Sequence, residues 1–194
     1  MSYLRSLTVN TAATTPILTT AEAKAHLKVD VTDDDTLIDN LVSAATESCQ
    51  IYTNRYFIDT VVTQYSDSFN GISTLYKSPV ASVTSIKYYD SDDSLQTWAS
   101  SNYILDASLE PARVSLSVAG SLPTLSGRIN AVECKYTVGY GTASTDVPKG
   151  IIQAVLLCVG NWYQNRQSVV TGTIATELPL SSQYLLDQYK VQVC

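Results

Sequence analysis

Histidine occurs once in these 194 residues, methionine once, and phenylalanine and tryptophan twice each. Four cysteines, Cys49, Cys134, Cys158 and Cys194, stand far apart with no C-x-x-C spacing. With His26 as the single imidazole, the usual zinc patterns are excluded, as is any Cys–His–Asp set with a choice of base. Cys49 and Cys158 fall on apolar faces, where a free cysteine acts as a small hydrophobe, and no disulfide is expected. No apolar run approaches the roughly 20 residues that span a bilayer. The opening MSYLRSLTVNTAATTP holds one arginine and no continuous apolar block, so neither a membrane helix nor a secretory signal is expected.

Positive charge is also scarce. Lys and Arg total 12 against 18 Asp and Glu, a net charge of −6, and no basic cluster exists. A protein that grips nucleic acid draws its affinity from lysine and arginine. This balance instead suits a surface past which DNA slides without sticking. Enzyme signatures are missing too: there is no G-x-S-x-G, no H-E-x-x-H and no P-loop, and the Gly139-Tyr140-Gly141 turn lacks the spacing of a dinucleotide fingerprint. Asp33, Asp34 and Asp35 lack the alternating ligands, central glycine and closing glutamate of a calcium loop. No residue is nominated as catalytic, cofactor-binding or metal-ligating.

Hydrophobic residues make up 45% of the chain, and a chain of this length buries roughly 70% of its unfolded surface. The 13 tyrosines admit two readings: amphipathic contact surfaces, or aromatic pairs on the exposed face of a sheet. The clearest periodic stretch is PKGIIQAVLLCVGNWYQNRQ, 148–167. Ile151, Ile152, Val155, Leu156, Cys158, Val159, Trp162 and Tyr163 recur at helical offsets. Pro148 suits the first helical position and Asp146 the positive helix start.

Thr19 and Glu22 match a capping box ahead of a short helix ending near Leu27. Thr32 or Asp33 can cap a second helix, roughly 34–54, in which Leu37, Leu41, Ala45, Cys49, Tyr52 and Tyr56 recur about every fourth residue, flanked by Ile38, Val42 and Ala44. After Ile58 the period becomes strand-like, in 61–69, 72–76, 83–90, 96–100, 103–106, 113–118 and 131–140, with turn signals such as Asn70-Gly71, Ser78-Pro79 and Glu110-Pro111 between. A last helix begins at Ser181 or Ser182. The expected fold is α+β: a helical core of two N-terminal helices, a long central helix and a C-terminal helix, with an inserted antiparallel β-meander. The segments are an arm at 1–18, core helices at 19–57, the β insertion at 58–141, and the central helix, loop and C-terminal helix at 146–194.

The order of TTAEAKAHLKVDVTDDDTLIDNLVSAATESCQIYTNRYFI, SPVASVTSIKYYD, KYTVGYG, VPKGIIQAVLLCVGNWYQNRQSVV and ELPL resembles the tailed-phage head-tail connector, or adaptor, family. That family is similar to the head-completion proteins of siphophages and to gene-transfer-agent adaptors. The likeness spans roughly 19–190 and rests most on the L-K-V-D-x-x-D-D-D junction, the Y-T-x-G-Y-G turn and the N-W-Y-x-N-R helix end. It implies a non-enzymatic virion protein without cofactors, assembled in the host cytoplasm as a ring of about twelve copies. Such a ring would lie beneath the portal protein, meet a tail-completion, stopper or terminator protein, and pass double-stranded DNA through its lumen. The large β portion departs from simple helical members. Rival readings are another neck or tail-completion protein, a small-molecule enzyme and a DNA-binding module.

Trp162, Tyr163 and Arg166 are expected where the central helix leaves its core, as candidate contacts with a partner or another copy. The alternative is that the two aromatics pack inside the subunit while Arg166 caps the helix. Glu177, Leu178, Pro179 and Leu180, with Tyr184 and Tyr189 of the last helix, are candidates for partner docking, because an apolar loop with few turn-formers is not left exposed. The alternative there is an arm folded back on its own subunit.

Overall fold

The structure, a computed structural model, describes residues 6–165 and 178–192. It divides into two compact units: a helical one within 14–58 and 141–190, and a sheet one within 1–13, 59–140 and 191–194.

The helical unit starts with α1, Thr20–Leu27, and the expected capping box is present. Thr19 Oγ1 accepts from the Glu22 amide at 3.2 Å while the Glu22 carboxylate accepts from the Thr19 amide at 2.8 Å. The latter bond holds the Glu22 carboxyl below its usual range. α2 spans Asp35–Thr53, with Asp34 rather than Thr32 or Asp33 at its cap and no side-chain cap bond. The Asp34 carboxylate is engaged elsewhere, accepting from the Tyr163 hydroxyl at 2.5 Å. Lys24 bridges the start of α2 from α1, its Nζ 2.6 Å from the Asp35 carboxylate. Asn54, a residue that tolerates left-handed backbone, ends α2 at φ 58°.

The stripe that α2 buries is Ile38, Val42, Ala45, Cys49 and Thr53: Ala45 and Cys49 lie on the expected face, Ile38 and Val42, expected at its flank, are at its centre, and Leu37 and Leu41 are half-buried. α3, Lys149–Gln164, buries Ile151, Ala154, Val155, Cys158 and Val159 at the expected offsets. Pro148 is its cap residue rather than its first turn. Asp146 folds back into the preceding turn and accepts from the Ala143 amide at 3.1 Å. α4, Leu180–Asp187, starts at Pro179, one to two residues earlier than expected. α1, α2 and α4 all pack against α3, and each fully buried Ile or Val of these stripes contributes about 1.5–3 kcal/mol.

Among the described residues the sheet unit holds seven strands: β1 Leu7–Thr11, β2 Thr60–Ser66, β3 Val80–Tyr89, β4 Leu95–Trp98, β5 Tyr103–Asp106, β6 Arg113–Leu116 and β7 Val132–Val138. The α+β class is as expected, and all ladders are antiparallel. The connectivity is not a sequential meander: the five-stranded sheet runs β1-β2-β7-β3-β4, and β5-β6 forms a separate pair. β7 takes the centre because Val132, Cys134, Tyr136 and Val138 alternate as a fully buried row. β1 comes from the segment expected as an N-terminal arm and adds an edge strand to β2.

Residues 72–76, expected as a strand, instead follow a 3-10 turn over Phe69–Ile72 and make one isolated bridge, Thr74 to Arg113. The reason is Gln64. Its buried amide donates to the carbonyls of Gly71 at 2.9 Å and Thr74 at 3.0 Å, and accepts from the Tyr76 amide at 3.0 Å. The Tyr136 hydroxyl completes the set at 3.2 Å. Backbone groups that a strand would spend on a ladder are thus spent on one side chain. Glycine is required at Gly139, where φ is +146° and an added Cβ would lie 2.5 Å from the Asp59 amide nitrogen.

Candidate partner-docking surfaces

In the helical unit the nominated residues separate into anchored and exposed ones. Trp162 and Tyr163 are half-buried on the last turn of α3, and Tyr163 is tied by its hydroxyl to Asp34. Tyr189 is half-buried: its backbone carbonyl accepts from Arg55 Nε, and its hydroxyl lies 2.9 Å from where a Cβ on Gly150 would stand. Leu178 is buried and Pro179 half-buried. Leu180 and Tyr184, one turn apart on α4, are 75% and 82% exposed. Positions four apart share a helix face, so these two form one outward apolar pair. Arg166 and Glu177 lie outside the described residues.

Neighbouring polar contacts hold that helix in place. The Tyr52 hydroxyl donates to the Asp187 carboxylate at 2.6 Å, which raises the tyrosine pKa, and the Lys190 ammonium sits 4.3 Å above the Tyr52 ring. Ser182, buried, donates to the Ala154 carbonyl of α3 at 3.2 Å. α4 therefore presents Leu180 and Tyr184 from a fixed support.

The sheet unit carries apolar exposure that sequence reading did not nominate. Val118, Leu122 and Ile129 are exposed in the connection between β6 and β7. Its backbone is tied down: the Trp98 indole donates to the Ser121 carbonyl at 3.0 Å, the Ser126 amide to the Tyr89 carbonyl at 2.9 Å, and the Asn130 amide to Asp67 at 2.7 Å. Arg128 stacks 3.8 Å over the Tyr89 ring and reaches Asp93 at 3.3 Å. In the sequence this stretch shows only glycine and proline turn signals. Its tethers come from residues distant along the chain, so no local pattern announces them.

The tyrosines take different places. Tyr88 and Tyr103 join Phe69 and Trp98 in an aromatic cluster on the sheet unit, with centroid separations of 4.6–6.0 Å, whereas Tyr184 points to solvent. Among the described residues no group of three or more His, Cys, Asp or Glu side chains could hold a metal ion.

What decides the class is the match of residues 16–177 to the head completion protein family. The chain belongs to that family. A head completion protein is a structural part of a virion, joining head to tail, and not an enzyme. The fold agrees over 97% of the chain with chains from gene transfer agent (GTA) particles. The chain is similar to one in the neck of an empty GTA particle computed with C6 symmetry, at 21% identity and a TM-score of 0.77 over 97% of both chains. It is also similar to one in the virion of the native GTA particle, at 20% identity and a TM-score of 0.77 over 97% of this chain and 96% of that one. A chain in the native neck computed with C12 symmetry gives 21% identity and a TM-score of 0.75 over 97% of both. No curated protein matches the chain. The exposed apolar side chains of its described residues include the α4 pair and those of the β6–β7 connection.

Proposed function

We propose that this head completion protein forms a ring of about twelve copies in the neck of a tailed phage or phage-like particle. The ring would sit under the portal protein, extend the DNA channel and receive a stopper or tail terminator on its other side. The observation that carries the reading is coverage: the family match and the likeness to neck chains take in both units, with 97% of this chain aligned to a neck of C12 symmetry. A net charge of −6 suits a lumen that DNA traverses without adhering. Leu180 and Tyr184 are the residues we assign to the contact with a neighbouring subunit or the portal, since a fixed apolar pair fits a protein interface.

The test is to mix the purified chain with the portal ring of its own particle, follow assembly by mass photometry, and image the product by cryo-electron microscopy. A closed ring on the portal is expected. Binding to the tail tube alone would move the protein to a tail-completion role. Leu180→Asp and Tyr184→Asp should each abolish assembly while changing subunit stability by less than about 0.5 kcal/mol. Undiminished assembly of both variants would remove α4 from the interface.

A further inference from the structure

We propose that Cys49 of α2 and Cys158 of α3 are the two halves of a disulfide that oxidation closes, locking the helical unit once the particle meets an oxidising environment. The two thiols are fully buried and free. Their sulfurs stand 4.0 Å apart across the packed α2–α3 interface, 109 positions apart in sequence. Closing a disulfide brings the sulfurs to about 2 Å, a movement of about 1 Å for each side chain. No other described cysteine competes in the helical unit, because Cys134 lies in β7 of the sheet unit. Cys158 is the better nucleophile: with the Cys49 thiol against it and Ser182 beside it, its pKa falls, while that of Cys49 rises.

With a peroxide as oxidant the chemistry balances. The Cys158 thiolate attacks one peroxide oxygen, forming a sulfenic acid and expelling hydroxide. The Cys49 thiol then attacks the sulfenic sulfur, forms the S–S bond and releases water, while the proton first lost from Cys158 neutralises the hydroxide. Two thiols and one hydrogen peroxide thus give one disulfide and two waters. Burial makes the reaction slow, since oxidant enters only when the helices part. That suits a protein kept reduced during assembly and exposed to oxidant after release from the cell, a use that rests on the virion role proposed above.

The experiment uses the full chain. It is incubated with hydrogen peroxide in buffer and at a denaturant concentration below the unfolding midpoint. It is then unfolded, alkylated, digested and mapped by mass spectrometry, with Tm measured in parallel. The expected product is a Cys49–Cys158 peptide pair lacking two hydrogens, with Cys134 alkylated and Tm raised by at least about 5 °C. Cys49→Ser should lose both the cross-link and the oxidation-dependent rise. The proposal is overturned if Cys49 and Cys158 are both recovered alkylated, if Cys158 proceeds to sulfinic acid without a cross-link, or if the cross-linked chain melts no higher. These readings come from isolated subunits, so they stand or fall apart from portal binding.

Discussion

The two units solve the same problem with different chemistry. The helical unit is held by apolar stripes: Ile38, Val42 and Cys49 on α2, and Ile151, Val155, Cys158 and Val159 on α3. The sheet unit has its own apolar row in β7, yet its irregular segment from Gly71 to Tyr76 also leans on one buried polar side chain, Gln64, which bonds three of its backbone groups. Apolar burial is non-directional and tolerates a change of shape at constant volume. A buried amide with four partners does not, because any substitute strands donors and acceptors away from water.

The sharpest test of that contrast pairs two volume-conserving changes with one truncation. Ile38→Ala should cost about 4 kcal/mol, the transfer loss plus a cavity beside α3, while Ile38→Leu should cost less than about 1.5 kcal/mol. Gln64→Leu keeps the volume but takes a hydrogen-bond partner from the carbonyls of Gly71 and Thr74, the amide of Tyr76 and the hydroxyl of Tyr136, and should cost about 3 kcal/mol. Urea unfolding, with the slope checked for constancy, measures all three. If Gln64→Leu is as mild as Ile38→Leu, the polar node is incidental and the contrast dissolves.

The same difference explains what could be read from the sequence. The helices were legible because their signals are local: Thr19 with Glu22, the offsets through Ile151 to Val159, and the polar break after Tyr163 lie within a few residues of the structure they specify. Errors there were of one or two positions: Asp34 rather than Asp33 precedes α2, its carboxylate bonded to Tyr163 instead of capping, and α4 starts at Leu180. The strands of the sheet were legible one by one, but not their order. Nothing local in VECKYTV says that β7 pairs with both β2 and β3. Nor does Gln64, in an alternating run, announce that it will capture a segment seven to twelve residues on. Of the exposed apolar residues, Leu180 and Tyr184 could be nominated from their setting. Val118, Leu122 and Ile129 could not, because their exposure depends on tethers to Trp98, Tyr89 and Asp67.

A local device should also fail locally. Thr19→Ala removes the side-chain half of the α1 capping box and should cost about 1 kcal/mol. Hydrogen exchange should quicken in the first turn of α1 while the β7 amides keep their protection. Loss of protection in β7 at the same rate would mean that the two units open together, against the picture of separate devices.

The smallest effect concerns the acid side of the sheet unit. Asp106 accepts from the Ser108 hydroxyl and amide and from Arg113 at 2.7 Å across β5–β6, and these bonds bring its pKa from 3.8 to about 2. The folded value is the lower one, so the contribution to stability is present above pH 3.8 and is lost as pH falls through about 2. The carboxylate is exposed to solvent and salt, which keeps the contribution small. Asp106→Asn should therefore flatten the decline of the unfolding midpoint between about pH 4 and pH 2 slightly, and more visibly in low salt than in high. If the midpoint of the Asp106→Asn variant falls with acid as steeply as the parent's, the β5–β6 pair draws nothing from this charge and rests on its buried Val114 alone.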